Sequence, residues 1–172
     1  AKICIDILRQ VGNYRIVGIL DNNIPMGSTV LGVPVIGDDR DLASLRQKGI
    51  QYAVNAVGSV TQHQRRSEIF NNLVAKGYLL PNLIHSSAVI EPSAKIGNGN
   101  HIMANSTIGS AVTIGNNCII NSAAVISHDS FLEDNVHLAP GAILGGSVHV
   151  GRDTLIGMGA TVYLGVTIGA RT

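Results

Sequence analysis

The chain has 172 residues, a net charge of +1, 45% apolar residues and 20 glycines, yet only 3% of it is aromatic and it has no Trp. High apolar content at low charge excludes intrinsic disorder. The scarcity of rings argues against sandwiches built on a buried Trp and against aromatic-platform nucleic-acid modules. Twelve basic residues against eleven acidic ones leave no basic footprint for nucleic acid or anionic lipid, so neither is expected as a partner. No apolar run approaches the roughly 18 residues of a membrane span, and no membrane insertion is expected. Cys4 and Cys118 form neither a disulfide framework nor a metal motif, which fits a reducing cytoplasm.

In chain order, Cys4, Ile7, Leu8 and Val11 recur at helical spacing, and Gly12-Asn13 ends that helix. Arg15 to Leu20 reads as a short apolar strand with a polar exit at Asp21-Asn22-Asn23. A Pro/Gly-rich stretch runs from Pro25 to Gly37. Asp38-Asp39 then opens a helix through Leu42 and Leu45 to Lys48, with Gly49 after it. Tyr52 to Val57 reads as a second strand ending at Gly58-Ser59, and Thr61 caps a helix running to about Lys76-Gly77. Strand–helix alternation predicts a small parallel α/β sheet. In such sheets ligands bind at the carboxyl ends of strands, which here are Asp21-Asn22 and Gly58-Ser59.

The chain changes character at Pro81. Stepping by six from Ile84 meets Ile, Leu or Val at fifteen consecutive positions, ending at Ile168. Those residues are 52 of 172, so chance gives such a run about once in 10^8 for one frame. Two positions before each aliphatic residue stands a usually small one, such as Ala88, Ser106, Cys118, Ala124 and Ala142; one position after it stands Gly in many hexads. This is the hexapeptide repeat of a parallel β-helix. Three hexads make a triangular coil, so fifteen make five coils stacked about 4.8 Å apart. The core is then a column of aliphatics, which accounts for the missing rings.

Residues 18 apart share a column. His128 falls at a corner, and Gly146 falls at the same corner one rung on. A histidine beside a free glycine amide pairs a base with an oxyanion donor, as acyl transfer requires. Asp129 can orient the ring and raise its basicity. Asn121 and His137 fall on other corners or faces. They can join His128 only across neighbouring prisms, which predicts a site between subunits and a trimer.

Blander readings stand beside these. His85, His101 and His149 read as surface or loop histidines, and Arg65-Arg66 as a solvated helix face. Cys118 is at an inward position and Cys4 on an apolar stripe, so both read as core residues. Gly146 can serve simply as a corner glycine, Met158 as a surface residue, and Asp21-Asn22 as a turn.

The run from Asn121 through His128-Asp129 and His137 to Ala142 resembles the nucleotide-sugar acetyltransferases of the left-handed β-helix superfamily, in particular the sialic acid O-acetyltransferase family with its bacillosamine and perosamine N-acetyltransferases. Leu83 to Ala88 is similar to that family's approach to its β-helix. Gly18 to Asn22 and Ala56 to Gly58 are similar to its nucleotide-binding strands. The resemblance implies a small α/β (Rossmann-like, truncated) N-terminal domain over residues 1–80, which binds the nucleotide sugar, followed by a left-handed parallel β-helix of hexapeptide repeats over 81–172. It implies an acetyl-CoA-dependent acetyltransferase that acetylates an amine or a hydroxyl of a nucleotide-linked sugar by direct attack on the thioester, with no enzyme nucleophile and no metal. His128 is implied as general base, Asp129 as its acidic neighbour and Asn121 as a polar active-site residue. His137, Gly146 and Met158 are implied to contact acetyl-CoA, and Asp21, Asn22 and Gly58 the nucleotide sugar. The implied partners are a nucleotide-activated amino sugar or related sugar and two further copies in a cytoplasmic homotrimer. Relative to that family the chain starts after the first strand and its glycine-rich loop and stops at a rung edge, so it reads as clipped at both ends.

Two alternatives belong to other classes. A γ-carbonic-anhydrase-like zinc enzyme shares the fold, and His101 and His137, 36 apart, resemble two of its ligands; the third position is Ala142. A regular β-helix can also be a non-catalytic assembly or binding module.

Overall fold

The computed structural model describes residues 1–58 and 63–172. Helix α1 (Lys2–Val11) buries Cys4, Ile5 and Ile7. Gly12 ends it in the left-handed conformation, its amide donating to the Leu8 carbonyl at 3.1 Å, a geometry that favours glycine. The strand expected over Arg15 to Leu20 is confined to β1 (Ile19–Leu20). It pairs in parallel with β3 (Val33–Gly37), which pairs antiparallel with β2 (Thr29–Val30). The sheet is therefore mixed, in the order β1-β3-β2.

The Pro/Gly-rich stretch thus holds a hairpin. Its two central residues, Leu31 and Gly32, both have positive φ (50° and 75°), as a tight turn between twisted strands requires. Arg9 from α1 donates to the Leu31 carbonyl at 2.6 Å and holds the strained leucine in place. The second expected strand, Tyr52 to Val57, makes only an isolated parallel bridge from Tyr52 to Leu79. The edge it would share with residues 14–18 instead lines a cavity of about 710 Å3.

Asp38 opens the next helical segment. Its carboxylate accepts from the Arg40 amide at 2.8 Å, and Asp41 accepts from the Asp38 amide at 3.0 Å. A one-turn 3-10 segment, Asp39–Asp41, leads into α2 (Leu42–Gln47). Helix α3 spans His63–Ala75. The expected cap at Thr61 and the strand end at Ser59 lie outside the described residues.

From Leu83 the backbone changes to strands of two residues, β4 (Leu83–Ile84) to β18 (Thr167–Ile168). They form three parallel five-stranded sheets, the faces of a prism. The register is 18 throughout: Ile119 pairs with His101 and His137, Val125 with Thr107 and Ile143, Phe131 with Thr113 and His149. The coils wind as the left-handed β-helix. The aliphatics at Ile102, Ile108, Ile120, Ile126, Leu132, Leu138 and Leu144 are fully buried, each worth about 1.5–3 kcal/mol. Small inward residues fill the gaps between them. Those with hydroxyls find a carbonyl: Ser130 Oγ donates to Gly145 O at 3.1 Å and Thr154 Oγ1 to Gly169 O at 2.8 Å. Successive corners turn through one residue with φ near +60°, among them Asn117, Asp129, Asn135, Gly141 and Ser147. Short polar side chains and glycine tolerate that conformation best.

Helix α1 covers the first face, packing Cys4 and Ile7 against Leu83, Met103 and Ile119. Two expectations are overturned where the N-terminal region meets the β-helix. His101 projects from the first face into the junction and is buried, not a surface histidine. Arg66, near the start of α3, is 2% exposed. Among the described residues, no helix is long and apolar enough to cross a membrane.

Candidate active site

His128 follows Val125–Ile126 at the corner between the second and third faces. The next residue, Asp129, is one of the left-handed corner residues, at φ 59°. That turn throws its carboxylate back onto the imidazole, with Nδ1 to Oδ2 at 2.7 Å. A carboxylate only accepts, so Nδ1 is the donor in this contact and Nε2 is the ring nitrogen left for another partner. The ring is well exposed at 67% of its side-chain surface.

Gly146 stands one rung above. A Cβ there would lie 2.7 Å from His128 Cε1 and 2.8 Å from Nε2. The glycine therefore leaves the ring the space it occupies. The neighbouring amides are committed to the ladder: Gly145 donates to Val162 and Ser147 to the His128 carbonyl. The imidazole, the cleared corner and the corner backbone of Gly146 meet in one place.

A second ridge runs along the corner between the first and second faces. Asn121 Nδ2 lies 3.2 Å from His137 Nε2, and Asn121 Oδ1 accepts from the Ser122 amide at 2.9 Å. His137 is buried in the first face, with its Nε2 against the Asn121 amide. Met158, two rungs above Ser122, is 78% exposed on the same corner. The structure thus brings Asn121 and His137 into direct contact, which stacking by 18 does not reveal. The signal is a separation of 16: Glu133 and His149 repeat it on the third face, at 3.1 Å. Within one chain the two pairs stand on opposite edges of the second face.

In the N-terminal region, Asp21 and Asn22 sit at the rim of the 710 Å3 cavity. Asp21 Oδ1 accepts from the amides of Asn23 and Ile24 at 2.9 and 3.0 Å, so it builds the turn. Asn22 is tied to Asp39 through both ends of its amide. Gly58 is exposed, one residue past the lining residue Val57. Cys118 is wholly buried, and burial pushes its thiol up to about 12, as befits a core residue. Cys4 is likewise buried and raised.

His101 and His137 face outward on the first face, with Ile119 between them. They stand two rungs, about 9.6 Å, apart, too far for one chain to hold a zinc ion between them at about 2.1 Å from each. Among the described residues no three His, Cys, Asp or Glu side chains converge.

Corner bases on stacked hexads are the marks of an acyltransferase class, and comparison with known proteins bears on that class directly. The family "Bacterial transferase hexapeptide (six repeats)" matches residues 93–128, and "PglD N-terminal domain" matches residues 1–73. The structure resembles PerB, the perosamine N-acetyltransferase of Caulobacter crescentus, solved with CoA and GDP-perosamine. The TM-score is 0.91 at 39% identity, over 98% of this chain and 78% of that one. It also resembles the acetyltransferase domain of PglB from Neisseria gonorrhoeae, solved with acetyl coenzyme A, with a TM-score of 0.84 at 37% identity over 99% and 83%. WeeI from Acinetobacter baumannii shares the fold, with a TM-score of 0.64 at 19% identity over 95% and 85%. Comparison with curated protein sequences gave no match. The chain belongs to the hexapeptide-repeat sugar acetyltransferases that carry a PglD-type N-terminal domain.

Proposed function

We propose that the protein transfers acetyl from acetyl-CoA to the amine of a nucleotide-linked amino sugar. The observation that carries this is the His128–Asp129 pair beneath Gly146, in a chain 39% identical to an enzyme solved with CoA and a nucleotide amino sugar. In this reading residues 1–80 hold the nucleotide sugar, with Asp21, Asn22 and Gly58 nearest it, and residues 81–172 carry the chemistry. The sugar amine attacks the thioester carbon. His128 Nε2 takes the proton as the C–N bond forms, and Asp129 stabilises the resulting imidazolium. The Gly146 amide faces the tetrahedral oxyanion. The intermediate collapses with loss of the CoA thiolate, which takes the proton back from His128. His137, Met158 and Asn121 belong to the acetyl-CoA side.

The two ridges meet only between copies. Both flank the second face, whose outward column is Val89, Thr107, Val125, Ile143 and Thr161, with Val89 54% and Ile143 40% exposed. The first face is covered by α1, and the third carries Lys95 and the His149–Glu133 pair. A three-fold axis facing the second face buries that apolar column. It also brings the His128 ridge of one copy against the Asn121–Met158 ridge of the next. Two buried, unpaired cysteines agree with a reducing cytoplasm as the place of work.

The test is thiol release from acetyl-CoA in the presence of a 4-amino-sugar nucleotide. Turnover is expected with the native chain, and His128→Ala lowers it by about 10^2 or more while the oligomer persists. Unchanged turnover in the variant sinks the assignment of the base, and no turnover in the native chain sinks the reaction.

A further inference from the structure

Arg66 is a buried cation, and among the described residues it pairs with no carboxylate. Its Nη1 donates to the Asn55 carbonyl at 2.9 Å and to the Val57 carbonyl at 2.7 Å. Its Nε donates to the Asn117 carbonyl, at a corner of the β-helix, at 3.3 Å. Among the described residues Nη2 has no partner and is also buried. Burial lowers the guanidinium to about 10, still charged at neutral pH. The helix carbonyl of Arg66 in turn accepts from Asn55 Nδ2 at 2.8 Å, and Asn55 Oδ1 accepts from the Val57 amide at 3.3 Å.

Burying a charge without a counter-charge costs several kcal/mol. Fold stability alone gives no reason for it, since a polar neutral side chain could satisfy one carbonyl at less cost. The Arg66 guanidinium ties three separate segments together: α3, the strand exit Asn55–Val57, and the coil at Asn117; two side-chain amides back it, Asn55 Nδ2 reaching Asn117 Oδ1 and Asn117 Nδ2 reaching the Arg66 carbonyl, each at 3.4 Å. The rigid fork of guanidinium donors suits this; a single ammonium does not.

We propose that Arg66 is a positioning residue for the nucleotide sugar. It clamps the peptide leading into Gly58 to the β-helix that carries His128, so that the nucleotide held by the first region is delivered at a fixed distance from the base. The inference rests on the functional reading above and adds the device that joins its two halves.

The experiment compares native protein, Arg66→Lys and Arg66→Met in steady-state kinetics with acetyl-CoA and the 4-amino-sugar nucleotide. Misplacing the exit peptide raises the KM for the nucleotide sugar by about ten-fold or more in the Met variant, the loss expected for a charged hydrogen bond. The Lys variant falls between. The KM for acetyl-CoA and the oligomeric state stay as in the native protein. An unchanged nucleotide-sugar KM in both variants overturns the proposal, and so does an equal rise in both KM values, which marks a merely structural role. If Arg66→Met does not fold, Arg66→Lys decides by the same KM split. A native chain that neither binds nor acetylates the nucleotide sugar overturns the functional reading itself, and this inference with it.

Discussion

In residues 83–168 the main chain meets its partner 18 residues on, rung after rung, and the inward side chains form one unbroken aliphatic stack. In the first eighty residues the ladder is short. Among the described residues a three-stranded sheet, three helices and a single bridge surround a cavity of about 710 Å3. The difference is one of periodicity. A repeated hexad satisfies each corner and each core position in the same way, so every coil templates the next. The N-terminal region depends instead on contacts made once: Arg9 to Leu31, Asn22 to Asp39, Arg66 to Asn55.

The largest expected effect probes that contrast in stability. Leu132→Ala removes a fully buried aliphatic from the stack. Neighbouring rungs cannot collapse without breaking their register, so the loss is about 3–4 kcal/mol. Leu20→Ala, on a half-buried position beside the cavity, costs about 1 kcal/mol. Denaturant unfolding of both variants measures the gap. Equal losses would break the comparison.

A smaller effect probes function at a corner. The Cβ of Gly146→Ala would lie 2.7 Å from His128 Cε1, so the ring must swing away. Turnover is expected to fall by about ten-fold, with little change in Tm, because the corner faces solvent. The same change at Gly157, where a Cβ meets nothing within 4 Å, leaves turnover near native. Loss at both positions would mean that the corners act through general rigidity rather than through the space above the base.

How far the sequence predicts these sites depends on the same periodicity. The rungs, the inward Cys118 and the His128–Gly146 corner follow from counting by 18, because in a β-helix a sequence interval is a distance. The Asn121–His137 contact escapes that count because it runs diagonally between a corner and the next strand. The hairpin at Thr29–Val30 and Val33–Gly37 is hidden by the leucine in its turn, a residue that disfavours positive φ and is held there by Arg9. Arg66 reads as half of a solvated basic pair. Its acceptors are main-chain carbonyls of Asn55, Val57 and Asn117, which leave no side-chain signature.

The junction of the two regions supplies the smallest effect, a dependence on pH. His101 projects from the β-helix into the contact with α1 and α3. Burial lowers its imidazole to about 3, helped by the Arg66 guanidinium and by the amino group of Ala1. In the unfolded chain an imidazole titrates near 6.5. Between those values the unfolded state binds a proton that the folded state refuses, so stability falls as pH drops below about 6.5 and continues to fall toward 3. From pH 7 to 5.5 this one group removes about 1 kcal/mol. His101→Leu, flanked on its face by Leu83 and Ile119, takes away the titrating group while keeping the surface apolar. Its unfolding free energy should vary less over that interval, whatever its absolute value. The native slope retained in the variant would assign the acid sensitivity to other groups and leave His101 as packing alone. A flattened slope would locate it at the seam where the once-made contacts of the first region meet the repeating ones of the second.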